Sequence, residues 1–227
     1  MSLVTSWVDR VFFTQAAVAE IADVAPRFRL VTLEGPELTK VQANPGDKLQ
    51  VRARGLSLRT YTPLNWDRGR GRVQLLAYVH GDGPGAAWTE ALRAGDTCAF
   101  FGPRSSIALA KTRGPVVLFG DETSIAVAAS LHGLRAKDAH IVLEADSREA
   151  VAPVLDAVAI PHATVFPRAV DHLHAAAKQI AATKDATIIL TGCAASIVAL
   201  RQHLRDLGAP APFKAKTYWA EGRAGID

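Results

Sequence analysis

Cysteine is scarce in this 227-residue chain, which contains only Cys98 and Cys193. Both stand in apolar runs far apart, so we expect two buried free thiols and no disulfide framework. Long apolar runs are lacking too, and no stretch is long enough to span a bilayer. The segment Met1–Trp7 has neither the basic start nor the apolar run of a signal peptide. These absences predict a cytoplasmic protein without membrane insertion.

An excess of charge of one sign is also missing, since 26 basic and 22 acidic residues leave a formal charge of +4. This balance is far from that of a basic nucleic-acid-binding arm, so we expect no nucleic-acid partner. The first half contains a local group of arginines, namely Arg52, Arg54, Arg59, Arg68, Arg70 and Arg72. Such a group suits a small anion, such as a dinucleotide or a charged chelate, and a solvated strand face is the alternative.

Two kinds of catalytic centre are missing from the pattern. The histidines show no metal-ligand spacing with cysteines or carboxylates, so we predict no metal site. No Ser-His-Asp arrangement stands out, and the full G-x-G-x-x-G fingerprint of dinucleotide binding is lacking. Any chemistry must therefore depend on shorter segments.

The first half has the pattern of short strands separated by turns. Alternating or β-branched runs predict strands at Ala16–Val24, Arg27–Glu34, Lys48–Arg54 and Val73–Val79. Gly35-Pro36 and Asn44–Asp47 supply turn residues between them. One helix is predicted at Gly85–Leu92. Several short strands at regular spacing indicate a sandwich or a barrel.

The second half alternates apolar strands with helices. Val116–Gly120 is a continuous apolar run that predicts a buried strand. Further strands are predicted at 140–145, 163–166, 187–191 and 213–219, and helices at 124–135, 170–182 and 195–207. This alternation indicates βαβ units and a parallel sheet covered on both faces. The polar segment Lys111–Pro115 marks the boundary between predicted domains 1–112 and 113–227.

The segment Arg59-Thr60-Tyr61-Thr62 has the residue types that a flavin requires. The planar guanidinium of Arg59 can bind two phosphate oxygens. Tyr61 can lie against a ring system, and Thr62 can offer a hydroxyl to the reactive flavin N5. The alternative is an edge strand with a solvated arginine.

A glycine-rich turn, His80–Gly85, opens the predicted helix that contains Ala86, Ala87 and Trp88. Free backbone N–H groups at a helix start can bind an anion, and glycine allows a pyrophosphate to approach closely. A plain turn followed by a helix with Trp88 in the core is the alternative interpretation.

The loop Gly120–Ser124 joins the predicted buried strand to a helix, where open α/β sheets bind ligands. Thr123 or Ser124 could equally cap that helix without any ligand. Near the end of the chain, Tyr218 and Trp219 could pack against a flat ligand or close the core. Strand alternation would point these two rings to opposite faces.

In their order and spacing, these segments resemble the siderophore-interacting protein family, which comprises ferric-siderophore reductases of the ferredoxin–NADP reductase superfamily. The matching residues include Arg59-x-Tyr61-Thr62, His80-Gly81, Gly83-Pro84, Trp88, Gly95-Asp96, Gly102-Pro103-Arg104, Gly120–Thr123, Leu200–Leu204 and Tyr218-Trp219. Two positions depart from the family pattern. Leu64 stands where an arginine is common, and Ala86 stands where a serine is usual; each change would remove a phosphate partner.

The resemblance implies a fold and a set of site residues. The fold would be an antiparallel six-stranded flavin-binding β-barrel followed by a Rossmann-like α/β domain with a parallel sheet. FAD would bind the barrel, with Tyr61 and Thr62 at the reacting ring. The residues implied to bind FAD or NAD(P)H are Arg59, Thr60, Tyr61, Thr62, Tyr78, His80, Gly83, Gly85, Ala86, Ala87, Trp88, Gly120, Asp121, Glu122, Thr123, Ser124, Glu144, Arg148, Tyr218 and Trp219.

The resemblance further implies an NAD(P)H-dependent reductase that releases Fe(II) from a ferric siderophore or another ferric chelate. Ser147 and Arg148 would favour the 2′-phosphate of NADPH, whereas Glu144 and Asp146 would favour NADH, and the sequence leaves this choice open. We expect a monomer or a weak dimer. The alternatives are a general NAD(P)H–flavin reductase that serves a ferredoxin-like partner, or a non-catalytic flavin- or siderophore-binding protein.

Overall fold

A computed structural model of the chain describes residues 13–54, 57–81, 83–209 and 213–222. The chain divides into two compact units, Met1–Ala108 and Leu109–Asp227. The segment Met1–Trp7 considered above lies outside the described residues. Among the helices that are described, none combines the length and apolar character needed to cross a membrane.

The first unit is built on one seven-stranded sheet with the order β4-β3-β7-β1-β2-β6-β5, in which every neighbouring pair is antiparallel. The strands are β1 (Thr14–Ala25), β2 (Phe28–Glu34), β3 (Asp47–Arg54), β4 (Ser57–Tyr61), β5 (Pro63–Asp67), β6 (Arg72–Tyr78) and β7 (Thr97–Ser105). Two helices accompany them, α1 (Glu37–Lys40) and α2 (Pro84–Ala91).

The sheet closes on itself at Thr62. Only this residue separates Tyr61, the last residue of β4, from Pro63, the first residue of β5. Because β4 and β5 lie at opposite edges of the sheet, the sheet must curl until its edges meet, which makes it barrel-like. The sheet has seven strands rather than the predicted six, because β4 and β5 are separate strands on either side of Thr62. The second of them begins at Pro63, which has no N–H to donate.

Strand alternation builds the barrel core. Leu49 and Val51 of β3 are fully buried, as is Phe100 of β7, whereas Gln50 and Arg52 lie on the other face of β3. From α2, Trp88 packs into the same core cluster. The apolar alternation in the sequence is therefore the inward face of the barrel.

The second unit contains a five-stranded, wholly parallel sheet with the order β10-β9-β8-β11-β12. Its strands are β8 (Val116–Gly120), β9 (Ala139–Ala145), β10 (Thr164–Pro167), β11 (Thr187–Cys193) and β12 (Lys214–Trp219). Its α-helices are α3 (Ile125–Arg135), α4 (Arg148–Ala157), α5 (His172–Ala181) and α6 (Ala194–Asp206), with 3-10 turns at Leu109–Lys111 and Glu122–Ser124.

The chain order across this sheet reverses between β8 and β11. From β8 it steps outward through β9 to β10, and it then returns to β11 on the other side of β8. Such a reversal leaves a crevice at the carboxyl ends of the two central strands, which is where open α/β sheets bind ligands. A ligand site in this unit is therefore expected at the carboxyl ends of β8 and β11.

Several elements differ from the sequence-based expectations. Strand β7 was not predicted, because Gly102-Pro103 interrupts its pattern with turn residues. Helix α4 was also missed, and Pro153 inside it is a strong helix-breaking signal. The prediction of two buried thiols was correct for Cys98 and wrong for Cys193, which is only partly buried where β11 meets α6.

Candidate functional site

Arg59 lies along the first turn of α2. A Cβ placed on Gly85 would stand 3.1 Å from Arg59 Nε and 3.2 Å from its Cγ, so a larger residue there would require the arginine stem to shift. Arg59 Nη1 donates a hydrogen bond of 2.7 Å to the carbonyl oxygen of Leu58. The sequence-predicted cation and the sequence-predicted glycine turn are therefore brought together.

The start of α2 has the features of an anion site. Gly83 is its N-cap in an extended conformation, Pro84 opens the first turn, and no described side chain caps it. The N–H groups of Gly85 and Ala86 have no intrahelical acceptor at these positions, and the first turn contains no acidic residue. A Cβ on Gly83 would meet nothing within 4 Å, so the turn is open there. Together with Arg59, this arrangement fits the pyrophosphate of a dinucleotide.

Tyr61 connects this turn to the barrel core. Its ring centroid lies 5.9 Å from that of Trp88, and its hydroxyl is hydrogen-bonded to Thr89. Burial raises the pKa of Tyr61, so the phenol stays neutral at physiological pH. Thr62 follows at the junction of β4 and β5 and is half-buried.

The other residues of these segments have mixed surroundings. Trp88 and Ala86 are each 9% exposed and belong to the interior, so their side chains act in packing. Leu64 is also buried, in β5, so an apolar side chain suits this position. Ala87 lies on the same turn and is half-buried, and Thr60 pairs with Gln50 of β3.

Tyr78 and His80 take part in an aromatic stack at the end of β6. Tyr78 stacks on Phe28 with a centroid distance of 4.7 Å, and His80 stacks on Tyr78 at 5.4 Å. The guanidinium carbon of Arg27 lies 4.9 Å from the Tyr78 ring centroid. The Tyr78 ring is therefore already in contact with protein groups.

In the second unit, the loop after β8 folds inward on itself. Asp121 is 1% exposed and accepts hydrogen bonds from Thr123 N at 2.9 Å, Cys193 N at 2.8 Å and Trp219 Nε1 at 2.7 Å. Burial raises the pKa of Asp121, and the hydrogen bonds from Thr123 and Trp219 partly oppose that rise. This carboxyl group ties together the carboxyl ends of β8, β11 and β12.

Two glycines make this packing possible. A Cβ on Gly120 would collide with Ser124 and lie 2.7 Å from Thr191 Oγ1. Gly192 has a φ of 98°, and a Cβ there would come within 2.5 Å of Asp121 Oδ2. Since Ser124 is also fully buried, the side chains of Asp121 and Ser124 support the loop from within.

A charged cluster follows β8, β9 and β10. Arg168, directly after β10, donates to Glu122 Oε1 at 2.7 Å and to Asp146 Oδ1 at 2.9 Å, and its second nitrogen binds Glu122 Oε2. The hydrogen bond with Glu122 raises the pKa of Arg168. His172 Nε2 lies 2.8 Å from Oε2 of the buried Glu144.

Three further residues that were predicted to bind the nucleotide lie in the second unit, namely Arg148, Tyr218 and Trp219. Arg148, the first residue of α4, donates hydrogen bonds of 2.8 Å to the carbonyl oxygens of Ala163 and Pro161. Tyr218 and Trp219 end β12, where both are partly buried. Trp219 uses its indole N–H on Asp121, so it closes the core at this edge.

Sequence reasoning missed Arg168 and His172 as members of this cluster. The available signal was position: Arg168 follows a predicted strand, as Asp121 and Asp146 do, and the carboxyl ends of parallel strands share one edge. The strand order β10-β9-β8 brings these residues together, and the sequence alone does not reveal that order.

An antiparallel barrel followed by a parallel α/β unit, with a glycine-rich turn at a helix start in the first and a reversal of strand order in the second, is the ferredoxin-reductase-like fold of flavin oxidoreductases. The phthalate dioxygenase reductase, described as a modular structure for electron transfer from pyridine nucleotides to [2Fe-2S], has this fold with a TM-score of 0.71 and 16% identity. The match covers 93% of this chain and 70% of that one.

Residues 46–107 match the family model of the siderophore-interacting FAD-binding domain, which confirms the resemblance predicted from the sequence. The siderophore-interacting protein SipS from Aeromonas hydrophila is similar with a TM-score of 0.74 and 20% identity, over 94% of this chain and 93% of that one. A siderophore utilization protein from T. fusca is similar with a TM-score of 0.72 and 21% identity, over 95% of each chain. No curated protein sequence matches the chain.

Proposed function

We propose that this protein is an FAD-dependent NAD(P)H oxidoreductase that reduces ferric siderophores or other ferric chelates and so releases Fe(II). The observation that carries the proposal is the placement of Arg59 against the uncapped first turn of α2, within the matched FAD-binding domain. A dinucleotide pyrophosphate needs this combination of a cation, free N–H groups and an open glycine turn.

The barrel residues divide the work of holding the flavin. Arg59 and the N–H groups of Gly85 and Ala86 bind the pyrophosphate, and Gly83 leaves room for it. Tyr61 supports the isoalloxazine, and the hydroxyl of Thr62 hydrogen-bonds N5. Tyr78 is the last residue of β6, and His80 stacks on it. Thr60, Ala87 and Trp88 shape the site through the backbone and through packing.

When bound, FAD supplies hydride acceptance from NAD(P)H and one-electron transfer to Fe(III). Chelates of this kind hold Fe(II) less tightly than Fe(III), so reduction releases the metal. The side chains of this chain bind and orient the reactants. Neither the hydride transfer to the flavin nor the electron transfer from the flavin to Fe(III) needs a protein acid or base. Tyr61, kept neutral by burial, adds no charge beside the flavin.

NAD(P)H is assigned to the carboxyl edge of the parallel sheet. The backbone of the loop Gly120–Thr123 faces the nicotinamide, held in shape by Asp121 and Ser124 from below. Glu122, Glu144, Arg148, Tyr218 and Trp219 surround that edge. This follows the general rule for ligand placement at a reversal in strand order.

The proposal is tested by FAD titration of the purified chain, followed by anaerobic assay of Fe(II) release from a ferric chelate with NADH or NADPH. We expect Arg59→Gln to raise the Kd for FAD by about tenfold or more, because it removes a charge-assisted contact. The matched control is Arg72→Gln, whose partner Glu34 lies on the barrel surface. Equal FAD affinity in wild type and Arg59→Gln would contradict the assignment.

A second candidate acceptor is a ferredoxin-like iron–sulphur protein. This candidate is suggested by the similarity to phthalate dioxygenase reductase, which is described as transferring electrons to [2Fe-2S]. Turnover with a purified ferredoxin that exceeds turnover with ferric chelates would favour it. A chain that turns over neither acceptor would instead be a binding protein, and Leu64 and Ala86 would account for weak FAD binding in that case.

A further inference from the structure

We propose that this chain prefers NADH to NADPH, because the turn after β9 presents carboxylates to the adenosine ribose while the neighbouring Arg148 and Arg168 are held in hydrogen bonds within the protein. The inference rests on the proposed function, since it concerns the nucleotide assigned to the second unit. Its subject is the discriminating group, the 2′ oxygen of the adenosine ribose.

The end of β9 is the place where this discrimination occurs in a parallel nucleotide-binding sheet. The nucleotide crosses the carboxyl ends of the strands, and the residue types after the second strand decide between a ribose hydroxyl and a 2′-phosphate. An acidic side chain there accepts hydrogen bonds from the hydroxyls, whereas a free arginine accommodates the phosphate. In this unit β8 is the first strand and β9 the second.

Two carboxylates stand at this turn. Asp146 is the first residue after β9, and its side chain is 67% exposed. Glu149 lies in the first turn of α4 and is exposed. Hydrogen bonds from the backbone N–H at the start of the helix and from Ser147 lower the pKa of Glu149. Glu149 is therefore charged at neutral pH, and both carboxylates face the solvent from which a nucleotide arrives.

The side chains that a 2′-phosphate would need make hydrogen bonds within the protein, and Arg148 uses both of its terminal nitrogens in them. Arg148 donates to the carbonyl oxygens of Ala163 and Pro161, both at 2.8 Å. Ser147 Oγ caps α4 by accepting a hydrogen bond of 3.1 Å from Ala150 N. The two candidates that would favour NADPH thus support the β9–α4 turn itself.

Arg168 is the other cation at this edge, and it is paired with two carboxylates. It binds both oxygens of Glu122, which is 6% exposed, and it also binds Asp146. Turning toward a phosphate would leave Glu122 buried without its cation, which is costly. An unphosphorylated ribose avoids this cost, because its hydroxyls can donate to Asp146 while the pair stays intact.

The test is isothermal titration of the full-length flavoprotein with ADP-ribose and with 2′-phospho-ADP-ribose. These probes differ only in the 2′-phosphate and carry no nicotinamide, so the readout is binding and not turnover. We expect ADP-ribose to bind about tenfold more tightly or better at low salt, with the ratio shrinking as salt screens the exposed carboxylates. Equal binding, or tighter binding of the phosphorylated probe, would overturn the preference and leave the nucleotide site standing.

Binding of neither probe would overturn the nucleotide assignment in the proposed function, and the preference with it. A variant pair sharpens the remaining comparison. Asp146→Asn combined with Glu149→Gln should lower the affinity ratio of the two probes by about tenfold, because it removes both exposed carboxylates of the turn after β9. Asp156→Asn, at the exposed far end of α4, is the matched control and should keep the wild-type ratio. An unchanged ratio in the double variant would also overturn the preference.

Discussion

The indole Nε1 of Trp219 donates a hydrogen bond of 2.7 Å to the carboxyl group of Asp121, which lies 98 residues earlier in the chain. This bond joins the end of β12 to the end of β8, two strands that are not neighbours in the sheet. The shape of the loop after β8 therefore depends on a side chain from β12, the last strand of the second unit in chain order.

Burial gives this carboxyl group a defined pH dependence. Its pKa in the folded protein is raised above the ordinary value of 3.8, so the folded state holds the proton more tightly than the unfolded chain does. The associated stability is fully present below the ordinary value and is lost as pH rises through the folded pKa. We predict that wild type loses stability relative to Asp121→Asn as the pH is raised from about 4 toward neutrality.

Urea unfolding of both proteins at a series of pH values measures this difference. Asp156→Asn serves as the control, because Asp156 is exposed and its removal should leave the pH dependence of wild type in place. A free-energy difference between wild type and Asp121→Asn that is constant with pH would show that burial does not perturb this group.

The ion pair of Arg168 with Glu122 should stabilise the second unit. Arg168→Met leaves the buried Glu122 without its cation, and we expect a loss of about 2 kcal/mol, reduced from the fully buried case because Arg168 is partly exposed. Adding Glu122→Gln should recover part of the loss. Chemical unfolding of the two single variants and the double variant gives the coupling energy.

The control for this cycle is the pair of Arg72 and Glu34, whose side chains are 49% and 44% exposed. Breaking it with Arg72→Met should change stability by less than about 1 kcal/mol. Similar losses for Arg72→Met and Arg168→Met would mean that the cluster after β8, β9 and β10 contributes no more than a surface pair.

The two thiols should differ in reactivity. Cys98 is 1% exposed, and burial raises its pKa to about 12, so it stays protonated and inaccessible at pH values used for thiol titration. Cys193 is partly exposed. A disulfide reagent should modify Cys193 in the native protein and Cys98 only after unfolding, and Cys193→Ala should abolish the native reaction. A native reaction that survives in Cys193→Ala would contradict the burial of Cys98.

Gly83 separates a ligand role from a structural one. A Cβ at this position meets nothing within 4 Å and φ is −75°, so Gly83→Ala should unfold with wild-type stability. If the pyrophosphate of FAD lies against this residue, the added methyl group displaces it, and the Kd for FAD should rise by about tenfold or more.

Gly133→Ala is the matched control for that variant, because its Cβ also meets nothing within 4 Å and it lies in α3, in the second unit. Fluorescence titration with FAD measures both proteins. A Gly83→Ala variant that binds FAD as tightly as Gly133→Ala would remove the pyrophosphate from the start of α2.

The sequence predicted an antiparallel first half and a parallel α/β second half, although it missed β7 and α4, and it did not predict the side-chain contacts. Period-2 runs such as Leu49–Val51 and the apolar run Val116–Gly120 predicted strands because burial sets their patterns directly. Asp121 and Arg168 could not be interpreted this way. A polar residue at a strand end is compatible with ligand binding and with burial, and only the strand order brought Glu122, Asp146 and Arg168 into contact.

Anaerobic reduction of the bound flavin tests the central claim most directly. Purified protein reconstituted with FAD is mixed with NADH, and a ferric chelate is added after the visible absorbance has settled. The account predicts a yellow protein that bleaches with the nucleotide and regains its colour as Fe(II) appears. A protein that stays colourless after reconstitution, or a bound flavin that NADH and NADPH both fail to bleach, would contradict it.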